Sequence, residues 1–168
     1  MMARDVVIRP LGRPGDLGWV VMAHGEFYDR EFGWDTSFEA LVSRIVADYA
    51  DEKQPGRQAA WIAEVDGARA GCVFCVPADD RTAKLRLLLV DPAARGLGLG
   101  ARLVEECLQF AREAGYEAIT LWTNDVLGSA RRIYQKHGFE LVAEEPHHSF
   151  GHHLVAQTWQ RRLQGSSQ

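Results

Sequence analysis

Leu87–Leu108 reads LLLVDPAARGLGLGARLVEECL, and the rest of the chain falls into place around it. An apolar strand ends at Val90, Pro92 prevents its continuation, and Arg95 with Gly96, Gly98 and Gly100 leads into a helix. Small residues let a ligand approach the backbone closely, and the first N–H groups of a helix lack intrahelical partners. Together they make an anion site suited to phosphate, to which Arg95 adds a fixed cation with paired donors. No G-K-S/T follows, so a P-loop is excluded. Gly96–Ala101 does spell G-x-G-x-x-A, and Asp125 stands after the next strand. However, five residues, Asp91 to Arg95, separate the strand from the first glycine, whereas a dinucleotide turn is entered almost directly. A plain tight turn accounts for one glycine, not for three and an arginine.

Upstream of this stretch, Asp5–Pro10 reads as a short strand and Asp16–Phe32 as a helix. Phe38, Leu41, Val42, Ile45, Val46 and Tyr49 keep a 3.6-residue period, which predicts an amphipathic helix over Thr36–Tyr49. Ala59–Val65 and Ala68–Val76 flank Asp66-Gly67 and predict a hairpin. Lys84–Val90 is nearly continuous in apolar residues, as a strand covered on both faces would be. Downstream, the helix from Gly98 runs to about Ala114 and is followed by a strand over Glu117–Thr123. A helix over Ser129–His137 is closed by Gly138, and the strands Phe139–Glu145 and His152–Gln160 are joined by a PHHSFG loop. Strand, long helix, strand in the middle implies one right-handed parallel crossover in an otherwise antiparallel sheet. The expected fold is α+β, layered α/β/α, with a mixed, mostly antiparallel sheet of about seven strands and four helices. One domain over 1–163 and a disordered tail at 164–168 are expected.

Composition narrows the function. The chain has 168 residues, 46% apolar and 25% charged, with a formal net charge of −4, which is ordinary for a globular domain. So acidic a protein is a poor candidate for holding nucleic acid by counterion release. No apolar run approaches the roughly 18 residues of a membrane span, and no secretory apolar core is evident, so no membrane partner and a cytoplasmic location are expected. Cys72, Cys75 and Cys107 form no disulfide framework. The C-x-x-C lies on a strand that turns its sulfurs to opposite faces, and the thiols read as inert and buried.

The V-D-P-A-A-R-G-L-G-L-G run resembles the acetyl-CoA signature of the GNAT N-acetyltransferase superfamily, V-x-P-x-x-R/Q-x-x-G-x-G/A. Val90, Pro92, Arg95, Gly98 and Gly100 occupy every fixed position. The second half of the family pattern is similar to A-R-R-I-Y-Q-K-H-G-F, with Ala130, Tyr134, Gly138 and Phe139. The element order agrees over the whole chain. The tail from LWTND to QTW further resembles the acetyltransferase half of proteins that join a MarR-type DNA-binding domain to a GNAT domain, and the winged-helix half is expected to be lacking here. One position departs from the family: Leu127 stands where an asparagine is common, and Asn124 is the candidate to take over its hydrogen bond.

The resemblance implies acetyl-CoA as co-substrate and an N-acetyltransferase acting on a primary amine of a small molecule or amino acid by direct attack. Its arm would lie along Leu88, Leu89 and Val90, with Asn124 and Ala130 beside it. The phosphates would sit at Arg95, Gly96, Leu97, Gly98, Leu99, Gly100 and Ala101. Tyr134 would bind cofactor and act as general acid, since a phenol stays protonated at neutral pH and can donate to the leaving thiolate. Some members carry a glutamate on the strand before the loop; Ala83–Val90 has Lys84 and Arg86 instead. The base is therefore open among Glu26, Glu31, Asp35, Glu64, Glu145, His24, His147, His148 and water. Acceptor contacts are expected from Tyr28, Glu31, Trp34, Arg86, His147 and His148. His147, His148, His152 and His153 lie close together, but strand alternation separates neighbours and no metal is expected. A non-catalytic acyl-CoA sensor or protein-interaction module on the same fold is the rival reading. The apolar strand His152–Gln160, taken as a sheet edge, suggests a homodimer.

Overall fold

The computed structural model describes residues 4–163; the tail at 164–168 lies outside them. The elements are β1 (Val6–Pro10), α1 (Asp16–Phe32), α2 (Thr36–Asp51), β2 (Ala59–Val65), β3 (Ala68–Pro77), β4 (Thr82–Val90), α3 (Leu99–Glu113), β5 (Ala118–Asn124), α4 (Gly128–Lys136), β6 (Glu140–Ser149) and β7 (His152–Arg162). They build one seven-stranded sheet in the order β1-β2-β3-β4-β5-β7-β6. Only β4 and β5 run parallel, joined by α3 as the crossover.

Side-chain alternation divides the core into two layers. Leu99, Leu103, Val104 and Cys107 of α3 pack with Val73, Cys75 and Leu85 on one face of the sheet. Val20 and Tyr28 of α1 and Val42 and Val46 of α2 pack with Ile62, Cys72 and Phe74 on the other. Cys72 and Cys75 thus face opposite layers, and all three cysteines are buried thiols. A buried carboxylate ties the edge of the second layer. Asp16, fully buried at the start of α1, accepts two hydrogen bonds from the Arg9 guanidinium, one from Arg69 and two from the backbone N–H groups of Gly12 and Arg13. Those partners hold its carboxyl far below the usual carboxylate range.

The centre of the sheet is split. β4 and β5 pair over four positions, from Thr82 with Ala118 to Leu85 with Leu121, and no further. Just beyond, β4 bulges against β3: Arg86 faces Phe74, but Leu89 faces Cys72, and Leu87 takes a positive φ of 55°. A bulge bends its strand and re-aims the side chains after it. Lys84 and Arg86 therefore share the α1–α2 face, which passes to Leu87 and Leu89 beyond the bulge. β5 meanwhile stays paired with β7 from Ala118 to Asn124. The ends of β4 and β5 diverge and leave a gap.

Two expectations are corrected. PHHSFG is not a loop: β6 continues to Ser149, and the reversal is confined to Phe150 and Gly151, with φ of 55° and 85°. Pro146 is carried within the edge strand, and the pairs His147–Leu154, His148–His153 and Ser149–His152 extend the ladder to the turn. β7 is also not a sheet edge, so the homodimer expectation loses its basis. The chain turns back after β6 and inserts β7 between β5 and β6, leaving β6 as the edge. That edge carries Glu140, Glu144, Glu145 and Pro146, residues that discourage further strand pairing. No helix among the described residues is long and apolar enough to cross a membrane.

Candidate active site

The gap between β4 and β5 opens into two cavities. The first, of about 390 Å³, is bounded by Leu88–Val90, the glycine loop, the start of α3 and the start of α4. Its floor follows from local chemistry. Asp91 caps a turn over Pro92–Ala94 by accepting from the Ala93 N–H at 2.8 Å, which stops β4 and directs the chain sideways. Gly98 then begins α3 at φ 71° with no side-chain cap, so the first N–H groups of the helix are left for an anion. A Cβ at Gly96 or Gly98 would meet nothing within 4 Å; both positions line open space. Gly100 serves packing instead: a Cβ there would lie 2.6 Å from Ile133 Cδ1 of α4. Arg95 borders the cavity, largely exposed, 3.8 Å from Glu31. A pyrophosphate fits this cradle of unpaired donors, open glycine surface and loosely held guanidinium.

The second cavity, of about 180 Å³, lies on the other side of the gap, under α1 and α2. Trp34, Phe38, Leu41 and Ile45 form its apolar wall, with Lys84, Arg86, Asn124 and Tyr134 as its polar groups. The two cavities share Tyr28, Leu88, Leu127 and Ala130, so they meet at the β4 bulge. Tyr134 is buried beside Phe139, and burial pushes its phenol well above the usual range, so it stays protonated.

His24 also lines the second cavity, with its ring stacked on Tyr28 at 5.9 Å between centroids. Its Nδ1 lies 2.8 Å from the Val20 carbonyl. A carbonyl only accepts, so Nδ1 carries the proton and Nε2 has the lone pair. Nε2 is buried without a partner. Burial lowers the His24 pKa to about 4, which keeps the ring neutral.

Most expected site residues are brought together. Leu88, Leu89, Val90, Arg95, Gly96, Gly98, Leu99, Gly100, Ala101 and Ala130 line the first cavity. Leu97 does not; its side chain packs on the α3-side core and anchors the loop. Asn124 and Tyr134 line the second cavity rather than the first. Tyr28, Trp34 and Arg86, expected to contact the acceptor, line the second cavity, and Tyr28 lines the first as well.

Three acceptor expectations need correction. Glu31 lies in the first cavity beside Arg95, because it follows Tyr28 by three residues on α1 and faces the glycine loop. His147 touches neither cavity. It packs on Trp122 and donates from Nε2 to Asn124 Oδ1 at 2.8 Å, while Ser149 donates to its Nδ1. It therefore bears on the second cavity indirectly, through Asn124 and Trp122, which line it. His148 points to the opposite side of β6, against His153, as strand alternation demands.

Among the candidate bases, Glu64 is paired with Arg9, Asp35 caps α2, and Glu26 and Glu145 are exposed. His24 alone of them lines the second cavity. The sequence reading missed Phe38, Leu41 and Ile45 as cavity wall. Their helical spacing was visible, but it reads as core until the gap in the sheet is known.

A layered sheet split beside a phosphate cradle, with a second cavity across the split, gives room for a phosphate-bearing ligand and a second small molecule side by side. The model of the Acetyltransferase (GNAT) family matches residues 22–139. The chain is 30% identical over 149 residues to an uncharacterised N-acetyltransferase of Schizosaccharomyces pombe, covering 88% of this chain and 90% of that one. It is 33% identical over 127 residues to the N-acetylaspartate synthetase of Danio rerio, covering 75% of this chain but 45% of that protein. The fold matches an acetyltransferase of Salmonella typhimurium solved with its cofactor acetyl-CoA, at TM-score 0.78 and 19% identity over 97% of this chain and 96% of that one. The chain belongs to the GNAT family of acetyltransferases, and acetyl-CoA is its acyl donor.

Proposed function

We propose that the protein transfers the acetyl group of acetyl-CoA to the primary amine of a small molecule, amino acids included, by direct attack. The meeting of the two cavities at the β4 bulge carries this reading. A thioester in the first cavity and an amine in the second would lie side by side there, and proximity of that kind supplies a large share of rate enhancement. The phosphates would rest on Gly96, Gly98 and Arg95, with the arm along Leu88–Val90 in place of the missing β5 partner. When bound there, acetyl-CoA supplies an activated carbonyl.

The residues divide the remaining work. The backbone N–H near Leu89 polarises the carbonyl as negative charge develops on oxygen. Tyr134 donates its phenolic proton to the sulfur as the C–S bond breaks. His24 accepts a hydrogen bond from the amine at Nε2 and so orients its lone pair. An imidazole with a pKa near 4 is a poor proton sink for an alkylammonium, so that proton leaves to water. Asn124, held by His147, fixes the β5 side of the gap.

The test is a panel of amines assayed for free CoA, followed by Tyr134→Phe on the best acceptor. The variant is expected to lose about 10²–10⁴-fold in kcat with little change in acetyl-CoA affinity, because the proton is needed only as the thiolate leaves. Phe has nearly the same shape, so a purely packed tyrosine would leave the rate unchanged. A wild-type rate in the variant removes the general-acid role.

A further inference from the structure

Lys84 and Arg86 stand two residues apart on one face of β4 and both line the acceptor cavity. Each is half-buried. Among the described residues neither makes an ion pair or a side-chain hydrogen bond. Asp48 of α2 is the acid whose field reaches Arg86, but among the described residues the two form no ion pair. Burial, and for Lys84 the neighbouring Arg86 as well, pulls both pKa values down, the mark of charges that lack compensation. Partly desolvated cations without partners cost free energy, and a structure keeps them where a ligand restores the balance.

The rest of the cavity sharpens the point. No Asp or Glu lines it, so a second ammonium on the acceptor would find no counter-charge. Its volume of about 180 Å³ suits one small metabolite. Its one unpartnered buried acceptor, His24 Nε2, can take an N–H from the reacting amine.

We infer that the acceptor is an amine that also carries a carboxylate, as an amino acid does, and that Lys84 and Arg86 hold that carboxylate while His24 receives the amine. The guanidinium fork matches a carboxylate in geometry, and the ammonium of Lys84 adds a second charge-assisted bond. The inference rests on the acetyl-transfer reading for the role of the amine. Its charge component stands apart, because the cations and the absence of acids are features of the cavity itself.

The experiment offers the twenty standard L-amino acids, their α-amides, their decarboxylated amines, and the diamines putrescine and cadaverine. Binding is measured by thermal shift on CoA-saturated protein, and turnover by release of free CoA. At least one amino acid is expected to bind and to react about 10²-fold more efficiently than its amide, since a site built around a polar group strongly rejects a ligand lacking it. Arg86→Met and Lys84→Met are each expected to shrink that preference at least tenfold, chiefly through KM, while acetyl-CoA still stabilises the variants. Amides or diamines bound as well as the acids, or no member of the panel bound, would overturn the inference. Acids bound selectively without turnover would support it and instead remove the proposed transfer to free amines.

Discussion

Glu31 shows how one side chain changes meaning once its neighbours are known. By sequence it is an acid near the acceptor; in the structure it is the counter-charge of Arg95, 3.8 Å away and partly exposed. A pyrophosphate bound at Arg95 would compete with it. Glu31→Gln is expected to tighten CoA binding about two- to five-fold, the scale of one exposed ion pair, when measured by calorimetry at fixed salt. Weaker binding in that variant would show that Glu31 helps to shape the cradle. The residues that were legible beforehand are those tied to a local rule. Arg95, Gly96 and Gly98 were readable because a strand end, a proline and a helix start leave few uses for such residues. Lys84 was not, and His24 stood only as one candidate base among several, because their surroundings depend on what α1, α2 and β5 place opposite them.

At the scale of elements, local chemistry carried most of the reading. α1 and β2 run over the expected spans, and the Asp66-Gly67 turn has φ of 52° and 84°, as a tight hairpin requires. Strand order was harder, since nothing in the period of His152–Gln160 says that two strands flank it. The glycine loop offers the cleanest test of an element's function. Gly98 lies in the left-handed region with open space around it, so Asp is tolerated sterically better than most residues. Gly98→Asp is expected to abolish the thermal stabilisation by CoA while lowering the melting temperature of the free protein by only a few degrees, since its carboxylate would occupy the phosphate position. Stabilisation like that of wild type would place the phosphates elsewhere.

Across the whole molecule, stability leans on a buried ionic cluster that no pattern announced. Asp16 joins β1 through Arg9, β3 through Arg69 and the loop before α1 through two N–H groups. Asp16→Ala would take two charge-assisted bonds from the buried Arg9, leaving Glu64 as its one carboxylate partner, and a loss of about 3 kcal/mol in urea denaturation is expected. The pH dependence follows in sign. The folded pKa lies below the unfolded one, so this contribution is complete above the ordinary aspartate value of about 3.9 and fades as pH falls below it. Wild type should therefore lose stability on acidification below about pH 4 more steeply than the Ala variant does.

The short register between β4 and β5 bears on how the molecule melts. Four residue pairs are all that stitch the first four strands to the last three across the sheet. Free of ligand, the tips of β4 and β5 are the natural place for opening to begin, with amide protons that trade quickly with deuterium. A pantetheine arm lying along Leu88–Val90 would act there as a borrowed strand and close the seam. Exchange at those amides should slow on adding CoA, and exchange at the distant hairpin of β2 and β3 should change far less. Uniform slowing over the whole sheet would mean that the ligand stabilises the fold globally and that the seam has no separate motion to lose.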